Sequence, residues 1–293
     1  MVNLRTILQI YHLALTIYHS FHLPLGNMPP YPNLISDSLL INETIQLLQS
    51  FGGRASAVKV VDFVMKISAP EPNLARLLVS DLVRTDPRLQ LVDDILELVQ
   101  NDIERRAFAE TDFVVFDLET TGAKAPPCRI TEIGAYLVRR GKIIDEYQTL
   151  VNPETPIPLF ISELTGITDS MVRNAPKFHE VAAEFLDFIG DSVLVAHNAH
   201  FDMRFLNHEI GRIHTDYRMR NPSLCTVRLS RRLLPNVENH RLNTLARYYS
   251  VALVNHHRAS DDAHATAHIF VNLLEELHKR GVRDLATAKK FKF

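Results

Sequence analysis

This sequence predicts an α/β layer fold preceded by a small, mostly helical domain, on three observations. Phe113-Val114-Val115-Phe116 is apolar at consecutive positions, the mark of a central strand covered on both faces. Two further strand patterns, Ile130–Val138 and Lys142–Leu150, follow it, and helices are interleaved after them. A chain of 293 residues has room for about two domains. The 46% hydrophobic and 23% charged composition excludes wholesale disorder and fibrous architecture.

The elements follow in order. Residues 1–36 form an extension and a Pro-rich linker. Its apolar stretch Leu4–Leu23 is interrupted by Gln9, His12, His19 and His22, so it is neither a signal peptide core nor a membrane span. Residues 37–102 carry three helical patterns and a hairpin. The first contains Ile45, Leu47, Leu48 and Phe51 and stops at Gly52–Gly53. Ser56 caps the second, and Pro72 and Asn73 open the third. Leu89–Val92 and Ile95–Val99 flank Asp93–Asp94 as the hairpin. The pattern resembles a winged helix-turn-helix domain. Its third helix sets Arg76 and Arg84 against Glu71 and Asp81, which favours protein contact or packing over binding to nucleic acid.

Residues 103–110 link this region to 111–293. There the expected elements are the three strands above, a helix over Glu180–Ile189 and a strand Ser192–Ala196. Helices follow at Phe201–Ile213, Val227–Leu234, Leu242–Tyr249 and Ser260–Lys279, the last capped by Ser260. Cys128 and Cys225 are too far apart in sequence for a CxxC motif, which excludes a zinc ribbon and fits free thiols in a reducing, cytoplasmic setting.

Charge is segregated. Residues 1–110 hold 9 Lys/Arg against 12 Asp/Glu, 111–211 hold 8 against 15, and 212–293 hold 15 against 7. An acidic block followed by a basic one fits a carboxylate site beside an anion-attracting surface, although scattered solvated charge gives the same counts.

Three clusters carry candidate chemistry. Asp117 and Glu119 end the first strand, and their i, i+2 spacing puts both on one face, where a hard divalent cation would relieve their repulsion. Alone, the pair reads equally as solvated strand-end acids. His197-Asn198-Ala199-His200-Phe201-Asp202 runs from a strand into a helix, and Asp202 alone fits a first-turn charge favoured by the helix dipole. In His257-Arg258-Ala259-Ser260-Asp261-Asp262-Ala263, His257 stays on a loop and Ser260 caps a helix with Asp262 in its first turn, where the dipole again suffices for Asp262 alone.

Taken together, DxE, HNAxFD and HxAxxDA in this order resemble the DEDDh 3′–5′ exonucleases of the ribonuclease H-like fold, which include the epsilon proofreading subunit of bacterial DNA polymerase III and its stand-alone relatives. The resemblance covers about residues 111–277. It extends to Ile130-Thr131-Glu132-Ile133-Gly134, Leu150-Val151-Asn152-Pro153, Leu164-Thr165-Gly166-Ile167 and Ala175-Pro176. It implies a mixed central sheet and a metal-dependent 3′–5′ exonuclease acting on single-stranded or frayed 3′ ends, DNA favoured, that releases nucleoside 5′-monophosphates. Asp117, Glu119, Asp202 and Asp262 are then the ligands of two Mg²⁺ or Mn²⁺ ions, and His257 is the general base. Thr120, Thr121, Leu164, His197 and Phe201 are the implied substrate contacts. Arg228, Arg231, Arg232 and Arg241 offer a phosphate-tracking surface or a solvated helix face.

The expected partners are single-stranded 3′ ends and a polymerase or repair protein, with no membrane. The short C-terminal stretch after Lys279 favours repair or end-trimming over dedicated proofreading. An exoribonuclease of the ribonuclease T or oligoribonuclease type shares the same motifs. A winged-helix regulator with a non-catalytic nuclease domain would lack the full set of acids. His264 and His268 have the i, i+4 spacing of a helical zinc pair, but the helix turns them away from Asp262 and no third ligand is evident.

Overall fold

The computed structural model describes residues 29–99, 102–254 and 256–290. The apolar stretch Leu4–Leu23 lies outside them. The described chain divides into two units, Ser38–Val99 in one, and Tyr31–Asp37 with the residues after Val99 in the other.

The chain opens on β1 (Leu34–Ser36), which pairs antiparallel with β9 (Tyr217–Met219) in the larger unit. The sequence places these residues at the end of a linker. Leu34 is instead fully buried, and the Asn33 side chain donates to the carbonyl of Leu186 at 2.8 Å. Three residues are too short a pattern to announce a strand.

The smaller unit contains α1 (Leu39–Ser50), β2 (Arg54–Ser56), α2 (Ala57–Phe63), α3 (Pro72–Thr85), β3 (Leu89–Val92) and β4 (Ile95–Leu98). Ser56 caps α2 by accepting from the Lys59 N–H. α3 opens at Pro72 and Asn73 as expected, Glu71 caps it, and Pro72 sits at a position where a missing N–H costs nothing. The strands form an antiparallel sheet in the order β2-β4-β3. Ile41, Leu48, Val60, Val61, Val79, Leu82 and Leu96 fill its core.

The larger unit is built on a five-stranded sheet in the order β10-β8-β5-β6-β7, comprising β5 (Asp112–Thr120), β6 (Ile130–Arg139), β7 (Lys142–Leu150), β8 (Val193–Ala196) and β10 (Ser223–Cys225). β5 runs parallel to β8 and antiparallel to β6, so the sheet is mixed. Successive β5 residues alternate between two cores: Phe113 and Val115 in one, Val114, Phe116 and Leu118 in the other.

The helices are α4 (Leu159–Thr165), α5 (Asp169–Val172), α6 (Phe178–Ile189), α7 (Ala199–Ile213), α8 (Thr226–Leu233), α9 (Leu242–Tyr248), α10 (Ala259–Lys279) and α11 (Leu285–Lys290). α10 lies on the Phe113–Val115 face, and α6 and α7 on the other. Ser260 does not cap α10. Arg258 occupies the cap position, and the Ser260 hydroxyl instead contacts the Tyr136 hydroxyl at 3.1 Å, because the helix begins one residue earlier than expected. Within 103–110, Ile103 is buried in the same core as α10, and Phe108 N–H donates to the Arg283 carbonyl at 2.7 Å. No helix among the described residues is long and apolar enough to cross a membrane.

Candidate active site

The parallel strands β5, β8 and β10 all end at one edge of the sheet, the edge where open α/β sheets bind ligands. Asp117 and Glu119 stand there on the β5 face that packs against α10. α10 brings Asp262, and one carboxylate oxygen from each of Asp117, Glu119 and Asp262 lies within 4.8 Å of the others. α7 brings Asp202, which is buried.

Burial pushes the Asp117 carboxyl well above the usual carboxylate range, and the charges of Asp202, Glu119, Asp262 and Glu132 push it further. Glu119 rises to about 8, first through burial and then through Asp262, Glu132 and Asp202, with Arg258 opposing. Asp202 also rises to about 8 through burial, against the pull of the main-chain N–H groups of Asp202 and Leu118. Acids crowded out of water in this way suit hard divalent cations, which accept oxygen ligands and supply the missing positive charge.

A glycine makes this convergence possible. Gly134 pairs with Asp117 in register, and a Cβ built on it would stand 2.4 Å from the Ala259 carbonyl group and the Ser260 nitrogen. The first turn of α10 therefore rests directly on the β6 backbone and carries Asp262 to the acids. Buried Glu132, opposite Glu119 in register, fixes the same turn. It accepts from Arg258 Nη2 at 2.7 Å and Nε at 3.1 Å, and from the Ala259 N–H at 2.9 Å. Glu132, Gly134 and Arg258 are roles the sequence reasoning did not assign. The signal was present in Thr131-Glu132-Ile133-Gly134, a strand that places an acid and a glycine where apolar residues would be expected.

The two histidines divide unexpectedly. His256 Nδ1 lies 3.0 and 3.1 Å from the two Asp262 carboxylate oxygens, while His257 reaches the same carboxylate through its main-chain N–H at 3.1 Å. Their rings stack at 3.9 Å, and His257 has a left-handed backbone with φ of 70°. Burial and then His256 lower the His257 pKa, with Asp262 opposing. Side-chain ligand atoms of His256, His257 and Asp262 fall within 4.8 Å of one another.

The expected substrate contacts are placed as follows. His197 Nδ1 lies 2.9 Å from the Thr226 hydroxyl, and burial drives its pKa down to about 4, so the ring is neutral at physiological pH. Phe201 packs edge-tilted on Phe205 at 4.8 Å. Leu164 is half exposed on α4 beside the exposed Leu159 and Phe160. The Thr120 and Thr121 hydroxyls are spent on their own loop, donating to the Gly122 carbonyl and accepting from the Arg129 N–H. His264 and His268 approach to 3.3 Å between Nε2 atoms on the exposed side of α10, apart from the acids.

Residues 114–270 match the Exonuclease (RNase_T) family, over more than half of the chain. The chain belongs to that family. A DNA polymerase III PolC-type protein of Caldanaerobacter subterraneus subsp. tengcongensis is 43% identical over 196 residues, covering 67% of this chain. The chain spans only 14% of that relative's length. Exonuclease X, solved in complex with 5′ overhanging duplex DNA, superposes with a TM-score of 0.50 at 27% identity, covering 60% of this chain and 98% of that one. A 3′-exonuclease solved for 3′-end recognition of the histone mRNA stem-loop shares the fold, with a TM-score of 0.50 at 20% identity over 57% of this chain and 83% of that one. The α/β sheet architecture is thus the ribonuclease H-like exonuclease fold.

Proposed function

We propose that the protein is a 3′–5′ exonuclease that hydrolyses single-stranded or frayed 3′ ends and releases nucleoside 5′-monophosphates. The observation that carries this reading is the convergence of Asp117, Glu119 and Asp262 within 4.8 Å, with Asp202 near enough to raise the Asp117 pKa. Asp117, Glu119, Asp202 and Asp262 would hold two Mg²⁺ or Mn²⁺ ions. When bound, such ions supply Lewis-acid charge at the attacking and departing oxygens.

The chain's own residues do the rest. His257, at the HxAxxDA spacing from Asp262, takes the proton of the attacking water, and its lowered pKa keeps it unprotonated at neutral pH. Neutral His197 and Phe201 flank the terminal nucleotide, and exposed Leu164 stacks beneath its base, a contact that accepts any sequence. DNA is the favoured polymer because the relative named above is a DNA polymerase. The small unit is winged-helix-like. Its Arg76 and Arg84 lie within 3.5 Å of Asp94 and Asp81, which supports protein contact rather than DNA reading. A cytoplasmic setting agrees with the free thiols Cys128 and Cys225.

The test is digestion of matched single-stranded DNA, single-stranded RNA and blunt duplex, each 5′-labelled, with Mg²⁺ or Mn²⁺. Stepwise shortening of the DNA strand from its 3′ end is expected. Faster shortening of RNA would replace DNA as the substrate, and no metal-dependent release from any strand would sink the reading.

A further inference from the structure

A groove of about 530 Å³ opens beside the acid cluster, between the first turns of α7, strand β10, helix α8 and the end of α11. We propose that this groove holds the sugar-phosphate backbone of the substrate strand upstream of the bond being cut. The proposal rests on the nuclease reading above and extends it to a binding site for the uncut strand.

Charge is the first argument. Arg228, Arg231, Arg232 and Lys289 line the groove, and among the described residues no carboxylate does. The four are not equivalent. Arg232 donates to the carbonyls of Ala288 and Lys289 at 3.1 Å each, and Lys289 pairs with Glu104 at 2.7 Å, so these two fasten α11 as one wall. Arg228 and Arg231 are exposed, and neither has an acid within ion-pair distance among the described residues. They sit three residues apart on α8, whose sequence Thr-Val-Arg-Leu-Ser-Arg-Arg-Leu contains no acid at all. Side chains at that spacing are neighbours on a helix surface, and two like charges there repel unless an anion lies between or along them.

Continuity with the acids is the second argument. α7 supplies Asp202 to the cluster and His200 and Met203 to the groove from the same two turns. β10 ends at Cys225 on the same sheet edge as β5 and β8, and Thr226, next in the chain, holds His197 by its hydroxyl. The groove is thus the extension of the site past β10. A polyanion bound there neutralises both arginines and gains the release of its own counterions. The floor offered by Met203, Leu224 and Leu229 is apolar, which suits sugars and base edges rather than a hydrated free phosphate.

The experiment compares the full chain with Arg228→Gln/Arg231→Gln on 3-mer and 12-mer single-stranded DNA, and on a duplex with a short 3′ overhang. The first readout is the ratio of kcat/KM for 12-mer over 3-mer, which should collapse toward one in the double variant. The second is 12-mer binding by fluorescence anisotropy with Ca²⁺, whose logarithmic salt slope should shrink by about 1.4, near 0.7 for each lost single-strand contact. Between 50 and 200 mM salt the wild type should therefore lose about sevenfold more affinity than the variant. Arg228→Lys/Arg231→Lys should restore the slope, which a folding defect would not permit. An unchanged ratio and slope would overturn the proposal, as would a defect seen only with the duplex, which would assign the groove to the complementary strand. If the wild type releases no nucleotide from any strand, the nuclease reading fails, and the anisotropy slope alone judges the groove.

Discussion

Replacing Gly134 with alanine tests how Asp262 reaches the other acids. The added Cβ would stand 2.4 Å from the backbone of Ala259 and Ser260, where ordinary contact begins at 3.4 Å. Neither obstructing group is the flexible end of a side chain, so the first turn of α10 must retreat by about 1 Å. Asp262 lies in that turn and retreats with it. A displacement of that size in a catalytic constellation costs on the order of 10²-fold in rate, equivalent to about 2.7 kcal/mol of barrier. Overpacking adds a stability loss of about 1–3 kcal/mol.

The assay is single-turnover release from 5′-labelled single-stranded DNA at saturating Mn²⁺, with a thermal melt to establish that the variant folds. Gly141→Ala is the control. It sits in the β6–β7 turn at φ of 72° with nothing within 4 Å of the new Cβ, so it strains the backbone without pushing on α10. It should melt earlier and cleave at the wild-type rate. A folded Gly134→Ala protein with wild-type cleavage would falsify the account of how α10 positions Asp262.

Three further outcomes follow from the site. Asp117→Asn should abolish nucleotide release while leaving the melting temperature in EDTA no lower than wild type, since burial and the neighbouring acids already favour the uncharged carboxyl that the amide replaces; release at the wild-type rate would remove the metal-dependent reading. The pKa values of Glu119 and Asp202, raised to about 8, mean that the folded chain binds more protons than the unfolded one above the ordinary carboxylate range. In EDTA, stability should therefore be greatest near pH 4 as far as these groups decide it, and fall as pH rises through 8, with Mg²⁺ flattening the fall; a melting temperature that climbs across that window in EDTA would contradict it. His257→Ala should lower the rate by about 10²–10⁴ and abolish its rise with pH, whereas His256→Ala should do less; pH–rate profiles that assign the larger defect to His256 would make it the base.

The strongly patterned parts of this fold were legible from residues alone. β5 announces itself because four consecutive apolar residues are needed where a strand is covered on both faces. α10 does so because Ala263, Ala267, Phe270, Leu273 and Leu277 recur at helical spacing. The elements missed are short or depend on distant partners. β1, β9 and β10 have three residues each, and α4 exposes Leu159, Phe160 and Leu164, so no apolar face marks it as a helix. The acids could be listed from their motifs, but not the side chains that aim them. Glu132 looks like an ordinary polar position in a strand until Arg258, 126 residues later in the chain, is seen to close on it.

That pairing also explains the electrostatic design of the site. Five carboxylates converge on the sheet edge: Asp117, Glu119, Glu132, Asp202 and Asp262. Arg258 forms a two-pronged ion pair with Glu132, taking one of the five out of competition and anchoring the turn that bears Asp262. The other four lack an Arg or Lys within ion-pair distance among the described residues, where His256 is the one imidazole that reaches that distance, to Asp262. A protein seeking only stability would place its cations on the buried acids, because uncompensated burial of charge is costly. Here the nearest guanidinium is committed to the one acid outside the DEDDh pattern. The remaining four keep their demand for positive charge, which a divalent ion would satisfy.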